Sequence, residues 1–197
     1  MFMMIGKNIY SVSMAILFFM AVSFQVGFAQ TGNKKVAGDV FVCIPCGYDC
    51  DKEEFSATGI CKHCNMKLVR KKTIVFGTVK PADICSFIKK HPKTIVLDVR
   101  TREEFAGTAP ENFGRLKNAI NIPIQELEKR IDELKNYKNT AILVYCSHSH
   151  RSPQSSYILN RLGFSNVFNL SGGMSVWGNE VGKDNCSQKY YTKELLK

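Results

Sequence analysis

Tyr145-Cys146-Ser147-His148-Ser149-His150-Arg151-Ser152 decides how the rest of the sequence is read. Ahead of it, Thr140-Ala141-Ile142-Leu143-Val144-Tyr145 is a run rich in branched and aromatic residues. Such a run, without polar alternation, predicts a strand buried on both faces, as in a parallel sheet. After it, Ser152-Pro153 predicts a helix start, with Ser as N-cap and Pro at the first helical position. Tyr157, Ile158 and Leu162 recur at helical spacing, and Gly163 marks the helix end. Cys146 is therefore expected at the carboxyl end of a central strand, where open α/β sheets bind their ligands.

That position suits a reactive sulfur. A helix N-terminus presents free N–H groups and partial positive charge, and successive loop amides can form an anion-binding nest. A thiol beside such groups is acidified, and its thiolate is the nucleophile. The plainer alternative is a small hydrophobe ending a buried strand. The polar loop, closed by Arg151-Ser152 and carrying His148 and His150, favours the reactive reading.

Working outward, strands and helices alternate from Thr73 onward. Ile74-Val75-Phe76 is expected to be a first strand, and Pro81 to Lys90 a helix with Ile84, Phe87 and Ile88 on one face. Cys85 sits beside that face as a core or half-buried thiol. Thr94 to Arg100 reads as a second buried strand. Thr101, with Glu104 three residues on, forms a capping box. A polar loop, Gly107 to Asn118, leads to a short strand at Ala119–Pro123, and Ile124, Leu127, Ile131 and Leu134 make a helical stripe. Asn166 to Leu170 is the last strand, followed by Ser171-Gly172-Gly173-Met174 and a closing helix through Trp177. The alternation predicts an α/β fold: a parallel sheet with helices on both faces.

Ahead of this lies a segment of another kind. Cys43, Cys46, Cys50, Cys61 and Cys64 are five of the chain's eight cysteines. Cys43-Ile-Pro-Cys46 and Cys61-Lys-His-Cys64 are two Cys-x-x-Cys pairs, close to zinc-ribbon spacing. Each such turn aims two thiolates at one point, and two turns complete a tetrahedron around a soft or borderline metal. A segment over 40–70 has too little apolar surface to fold alone, so metal would supply its folding energy. Cys43, Cys46, Cys61 and Cys64 are the expected ligands, with Cys50 and His63 as substitutes or extras. Disulfides are the other reading, but five cysteines leave one unpaired.

Residues 1–29 carry Lys7, no acidic residue, the apolar core Met14 to Val22 and small residues at Gly27 and Ala29. This pattern predicts a signal peptide cleaved after Ala29, a linker over 30–39, and an exported protein, periplasmic or secreted, with no stable membrane span after cleavage. An uncleaved anchor is the alternative. The net charge is +10, yet the lysines are scattered and not interleaved with aromatics, so nucleic acid is not an expected partner. Cys186 lies in a polar tail, 184–197, as a resolving thiol, a partner for Cys85, or free.

Two resemblances follow from these residues. Gly59-Ile60-Cys61-Lys62-His63-Cys64-Asn65-Met66-Lys67-Leu68 resembles the heavy-metal-binding module of copper-exporting ATPases and efflux proteins, with Lys62 in place of Pro and Asn65 in place of Gly. It implies one metal ion, zinc or copper. Residues 75–183 resemble a single rhodanese domain. The carriers are Val96-Leu97-Asp98-Val99-Arg100, Glu103-Glu104-Phe105, Asn118 to Pro123, Val144-Tyr145-Cys146 through Ser152, and Asn169 to Trp177. That family implies sulfurtransferase activity, with Cys146 as the sulfur carrier. The amides of Ser147, His148, Ser149, His150 and Arg151 would hold the persulfide before Ser152. Arg151 would help bind a small anionic donor, and cyanide or a thiol would be the acceptor. Asp98 and Arg100 match positions that hold the fold. The six-residue loop from Cys146 to Arg151 is the shorter, sulfurtransferase form, one residue less than in related phosphatases and arsenate reductases. It departs from the common pattern at Ser149, where Gly is frequent. A metal- or thiol-binding role with a domain that does not turn over is the alternative function.

Overall fold

In the computed structural model, residues 38–45, 47–181 and 185–196 are described. The expected signal peptide, residues 30–37 of the linker and Cys46 lie outside them. In chain order the elements are β1 (Phe41–Val42), β2 (Val69–Arg70), β3 (Gly77–Val79), α1 (Ile84–Lys90), β4 (Ile95–Asp98), α2 (Arg102–Ala106) and β5 (Arg115–Leu116). They continue with β6 (Ile120–Asn121), β7 (Ile142–Tyr145), α3 (Arg151–Arg161), β8 (Val167–Leu170), α4 (Trp177–Glu180), α5 (Asn185–Lys189) and β9 (Tyr191–Thr192).

The central sheet runs β3-β8-β7-β4-β6 with every pair parallel. Strand β7 occupies the middle, and all four of its residues are buried. Its side chains alternate between two cores. Ile142, Val144 and Cys146 enter one with Leu97, Val99, Leu134 and Leu159, whereas Leu143 and Tyr145 enter the other with Ile84, Leu170 and Trp177. Helix α3 therefore covers one face and α1 with α4 the other, which is the expected α/β architecture. Asp98 and Arg100 are fully buried and joined by a 2.7 Å ion pair. Arg100 also donates to the Gly114 carbonyl and lies over the Tyr145 ring, so the pair ties the end of β4 to the chain before β5.

Three local expectations are corrected. Pairing in the first strand begins at Gly77, not Ile74, because a turn at Lys71–Thr73 redirects the chain. A β-carbon at Gly77 would lie 2.6 Å from the Phe168 ring, so only glycine admits that close approach to β8. The 124–134 stripe is buried at Leu127 and Leu134, but the chain there forms turns and a 3-10 helix at Ile131–Tyr137. Its spacings of three residues, Ile124 to Leu127 and Ile131 to Leu134, suit the tighter winding. Helix α3 starts at Arg151, one residue before the expected cap, with Pro153 inside its first turn. Pro is tolerated there because first-turn N–H groups have no helical partner. Ser152 is thereby freed from capping to face Cys146.

The segment over 40–70 packs onto this frame. Ile44, Val69, Ile74 and Phe76 join the core that contains α3, and the Thr73 hydroxyl lies 3.2 Å from that of Tyr157. The polar tail is folded as well. Strand β9 pairs antiparallel with β5, Tyr191 stacks on Trp177, and a disulfide joins Cys85 to Cys186. Of the three roles open to Cys186, the partner of Cys85 is the one found. Among the described residues, no helix is long and apolar enough to cross a membrane.

Candidate functional site

Cys146 follows the last residue of β7 at the carboxyl edge of the sheet, and its side chain is buried. Its Sγ lies 3.3 Å from Ser152 Oγ. Residues Ser147 to His150 curl over it before α3 begins. The curl requires a left-handed residue, and Ser149 supplies it at φ 59°. This is the position where the resemblance anticipated glycine. Ser149 Oγ accepts a 3.3 Å hydrogen bond from Asn169 Nδ2 of β8, a contact that glycine would lack.

The loop is held from two sides. Beneath it, the amides of Met174 and Ser175 donate to the carbonyls of Cys146 and Ser147, both at 2.9 Å. Gly173 makes that approach possible: its φ is 65°, and a β-carbon there would fall 2.5 Å from both carbonyl oxygens. Gly173→Ala is accordingly expected to destabilise the protein by about 2 kcal/mol and to displace the loop. Parallel measurement of denaturant midpoint and sulfur transfer checks this, and wild-type values for both would contradict it.

Beside the loop stands Glu104, for which the sequence suggested no role at the site beyond a capping box and a place in the resemblance. The box forms, with Thr101 Oγ1 accepting from the Glu104 amide. The carboxylate also receives both terminal nitrogens of Arg151, at 2.6 and 2.7 Å, and the Ser147 hydroxyl at 2.7 Å. Arg151, expected to reach toward an anionic donor, is thus engaged by Glu104. The available signal was topological: a capping box after β4 lies beside the end of its neighbour β7. Burial favours the neutral form of Glu104, but the hydrogen bonds from Arg151, Ser147 and the Thr101 amide outweigh it and hold the pKa at about 2. A carboxyl depressed in the folded state contributes stability above its unfolded pKa and loses it as pH falls through the folded value. The contribution, at most about 3 kcal/mol, is expected to disappear between about pH 4.5 and pH 2. In Glu104→Gln this acid limb should flatten, as urea titrations across that range would show.

His148 packs edge-on against Phe113 at 5.2 Å, and His150 contacts the Tyr48 ring at 4.6 Å. Cys146, Ser147, His148, Ser149, His150, Arg151 and Ser152 thus form one loop and helix start, against which Glu104, Asn169 and Gly173 pack.

A second cluster lies in the N-terminal segment. The sulfurs of Cys43, Cys50, Cys61 and Cys64 all fall within 4.8 Å of one another, and the first three residues are buried. Cys50 stands with the three expected ligands. His63 does not: its ring meets Glu53 at 3.2 Å on the surface, while its amide donates to Cys61 Sγ at 3.4 Å. Asn65, where the module it resembles carries glycine, takes φ 55°, in the left-handed region. Burial opposes ionisation of both Cys43 and Cys61. Hydrogen bonds from Cys43 and from the amides of Cys64 and His63 nevertheless lower Cys61 to about 6, while Cys43 is raised. Four converging sulfurs with amide donors behind them are a donor set that fits a soft or borderline metal ion. Met66 is buried in the small core around them.

Residues 86–180 match the rhodanese-like domain family. Protein YqhL of Bacillus subtilis (strain 168) is 33% identical over 89 residues, 45% of this chain and 64% of that protein. A tRNA uridine(34) hydroxylase of Cytophaga hutchinsonii is 29% identical over 132 residues, 66% of this chain and 40% of the relative. A putative mitochondrial thiosulfate sulfurtransferase of Schizosaccharomyces pombe is 29% identical over 118 residues, 57% of this chain and 83% of the relative. The chain thus spans less than two thirds of YqhL and of the hydroxylase. A rhodanese-related protein from Thermoplasma volcanium, solved crystallographically, is 32% identical and matches 53% of this chain and 92% of its own, with a TM-score of 0.44. Through residues 86–180, the chain belongs to the rhodanese-like family.

Proposed function

We propose that this chain is an exported sulfurtransferase that carries a sulfane sulfur on Cys146. The observation that carries the reading is the setting of that sulfur: buried at the end of β7, 3.3 Å from Ser152 Oγ, under a six-residue loop that closes on Arg151. The Cys146 thiolate attacks the sulfane sulfur of the donor. A bond forms between Sγ and that sulfur, and the donor's own bond to it breaks with the electron pair leaving on sulfite or on a thiolate. The resulting persulfide gives its outer sulfur to cyanide or to an acceptor thiol, which restores Cys146. No net oxidation occurs and no cofactor takes part. Loop amides stabilise the anionic persulfide, as amide nests stabilise other anions.

Export is supported by the signal-like pattern over residues 1–29 and fits the Cys85–Cys186 disulfide, since disulfides persist in oxidising compartments. The Cys43, Cys50, Cys61 and Cys64 cluster is read as a structural site for one zinc or copper ion. A second reading, a metal- or thiol-sensing protein whose rhodanese-like domain does not turn over, rests on that cluster. Intact mass decides between the two. Incubation with a sulfane donor should add about 32 Da, removable by cyanide. An unchanged mass with metal bound would favour the sensing role.

A further inference from the structure

The chain has a net charge of +10, yet the clefts beside the Cys146 loop are edged by carboxylates. Two clefts flank the Cys146 loop. One, of about 290 Å³, is lined by Glu104, Glu111, Phe113, Ser147 and His148, with Ala109 and Pro110. The other, of about 430 Å³, is lined by Tyr48, Asp49, Cys50, His63, Cys64, Asn65 and His150. Among the described residues, no lysine or arginine lines either cleft. Asp49 carries its own ion pair, to Lys52 at 2.8 Å. Arg151, the one guanidinium built into the loop, spends both terminal nitrogens on Glu104. Its charge is cancelled at a distance where the pair is a strong, bidentate one.

From this charge inventory we infer that Glu104, with Glu111, selects the sulfur donor: the site takes a persulfide of low charge in preference to the thiosulfate dianion. The inference rests on the sulfur-carrier reading and narrows it. Thiosulfate brings two negative charges into a cleft edged by carboxylates and releases sulfite, a second multiply charged anion. A persulfide R–S–SH or R–S–S⁻ brings one charge at most. Attack by the Cys146 thiolate forms the Sγ–S bond, and the electron pair of the broken S–S bond leaves on the thiolate R–S⁻, which is protonated by solvent. Phe113, Ala109 and Pro110 offer apolar surface to the R group. Like charge in a partly desolvated cleft suppresses the wrong partner while leaving the chemistry unchanged, so discrimination should appear in KM.

The test is single-turnover loading of full-length protein, followed by intact mass, with thiosulfate and with cysteine hydropersulfide generated in situ. Wild-type protein is expected to load at least about tenfold more efficiently from the hydropersulfide. Glu104→Gln, which releases Arg151, and Glu111→Lys, which places a cation in the cleft from an exposed position, should each shrink that ratio several-fold through a lower KM for thiosulfate. A purely structural role for Glu104 would instead depress both donors together. Thiosulfate preferred by the wild type, or a donor ratio unchanged in both variants, overturns the inference and leaves the sulfur carrier standing. Loading from neither donor, or loading that survives Cys146→Ser, removes the sulfur-carrier reading and the inference with it.

Discussion

Cys146→Ser is expected to lower sulfur transfer by at least about a thousandfold, with the fold retained. Oxygen cannot hold a sulfane sulfur as a persulfide, and a serine hydroxyl is not ionised at neutral pH, so the first half of the cycle loses its nucleophile and the second its sulfur carrier. The structural cost should be small. The links from residue 146 to the Met174 amide and to the sheet run through its backbone, which the substitution leaves intact. The new hydroxyl would have Ser152 Oγ within reach, since the present sulfur is 3.3 Å from it. A loss of no more than about 2 kcal/mol is expected, and Cys146→Ala should match it in inactivity. Donor-to-cyanide turnover alongside a denaturant titration separates the two effects. A variant that keeps even a tenth of the wild-type rate would move the nucleophile elsewhere in the chain.

The position of Cys146 was legible because several local signals agree on it. An unbroken apolar run over residues 141–145 can only be buried on both faces, so it had to be central, and its polar continuation had to leave the sheet at the carboxyl edge. The Thr101–Glu104 capping box and the terminator Gly163 follow from hydrogen-bonding requirements within a few residues. What escaped depends on partners distant in sequence. Arg151 and Glu104 are 47 residues apart, and nothing in either neighbourhood says that each cancels the other. Cys85 and Cys186 are 101 residues apart, so their pairing was one of three open roles until the folded tail brought them within bonding reach. Ser149 and Asn65 both stand where the families they resemble carry glycine. Both turns are made nonetheless, at φ 59° and 55°. Asn enters this region more readily than most residues, and Ser149 gains a hydrogen bond from Asn169 there. In the cysteine-rich segment, spacing identified Cys43, Cys61 and Cys64 of the observed cluster and offered Cys50 only as a substitute or extra. Cys-x-x-Cys geometry is local, whereas Cys50 arrives through a 3-10 turn at Asp49–Lys52.

Removing metal should produce the largest structural change in this protein, and one confined to residues 40–70. The apolar core of that segment consists of Phe41, Met66 and Leu68 together with Cys43, Cys50 and Cys61, so half of it is cysteine. Its sheet is a single antiparallel pair, β1 with β2, two residues long. So small a hairpin is marginal in water on its own. Structural zinc contributes about 10–16 kcal/mol in comparable peptides, far more than this burial could. Chelation should therefore abolish hydrogen-exchange protection at the amides of Phe41, Cys61 and Leu68, whose bonds to Phe55, Met66 and Gly59 are all 2.8 Å. Strands β4 and β7 should stay protected, because their ladder belongs to the parallel sheet. Outside that segment, only the Cys146 loop should feel it, at the 4.6 Å contact between Tyr48 and His150, where the imidazole loses its neighbour. Metal content by elemental analysis should fall from one ion per chain to none in the same samples. If these amides ignore the chelator and lose protection only under reductant, the sulfurs are paired in disulfides rather than holding a metal, and the segment is stapled by covalent bonds.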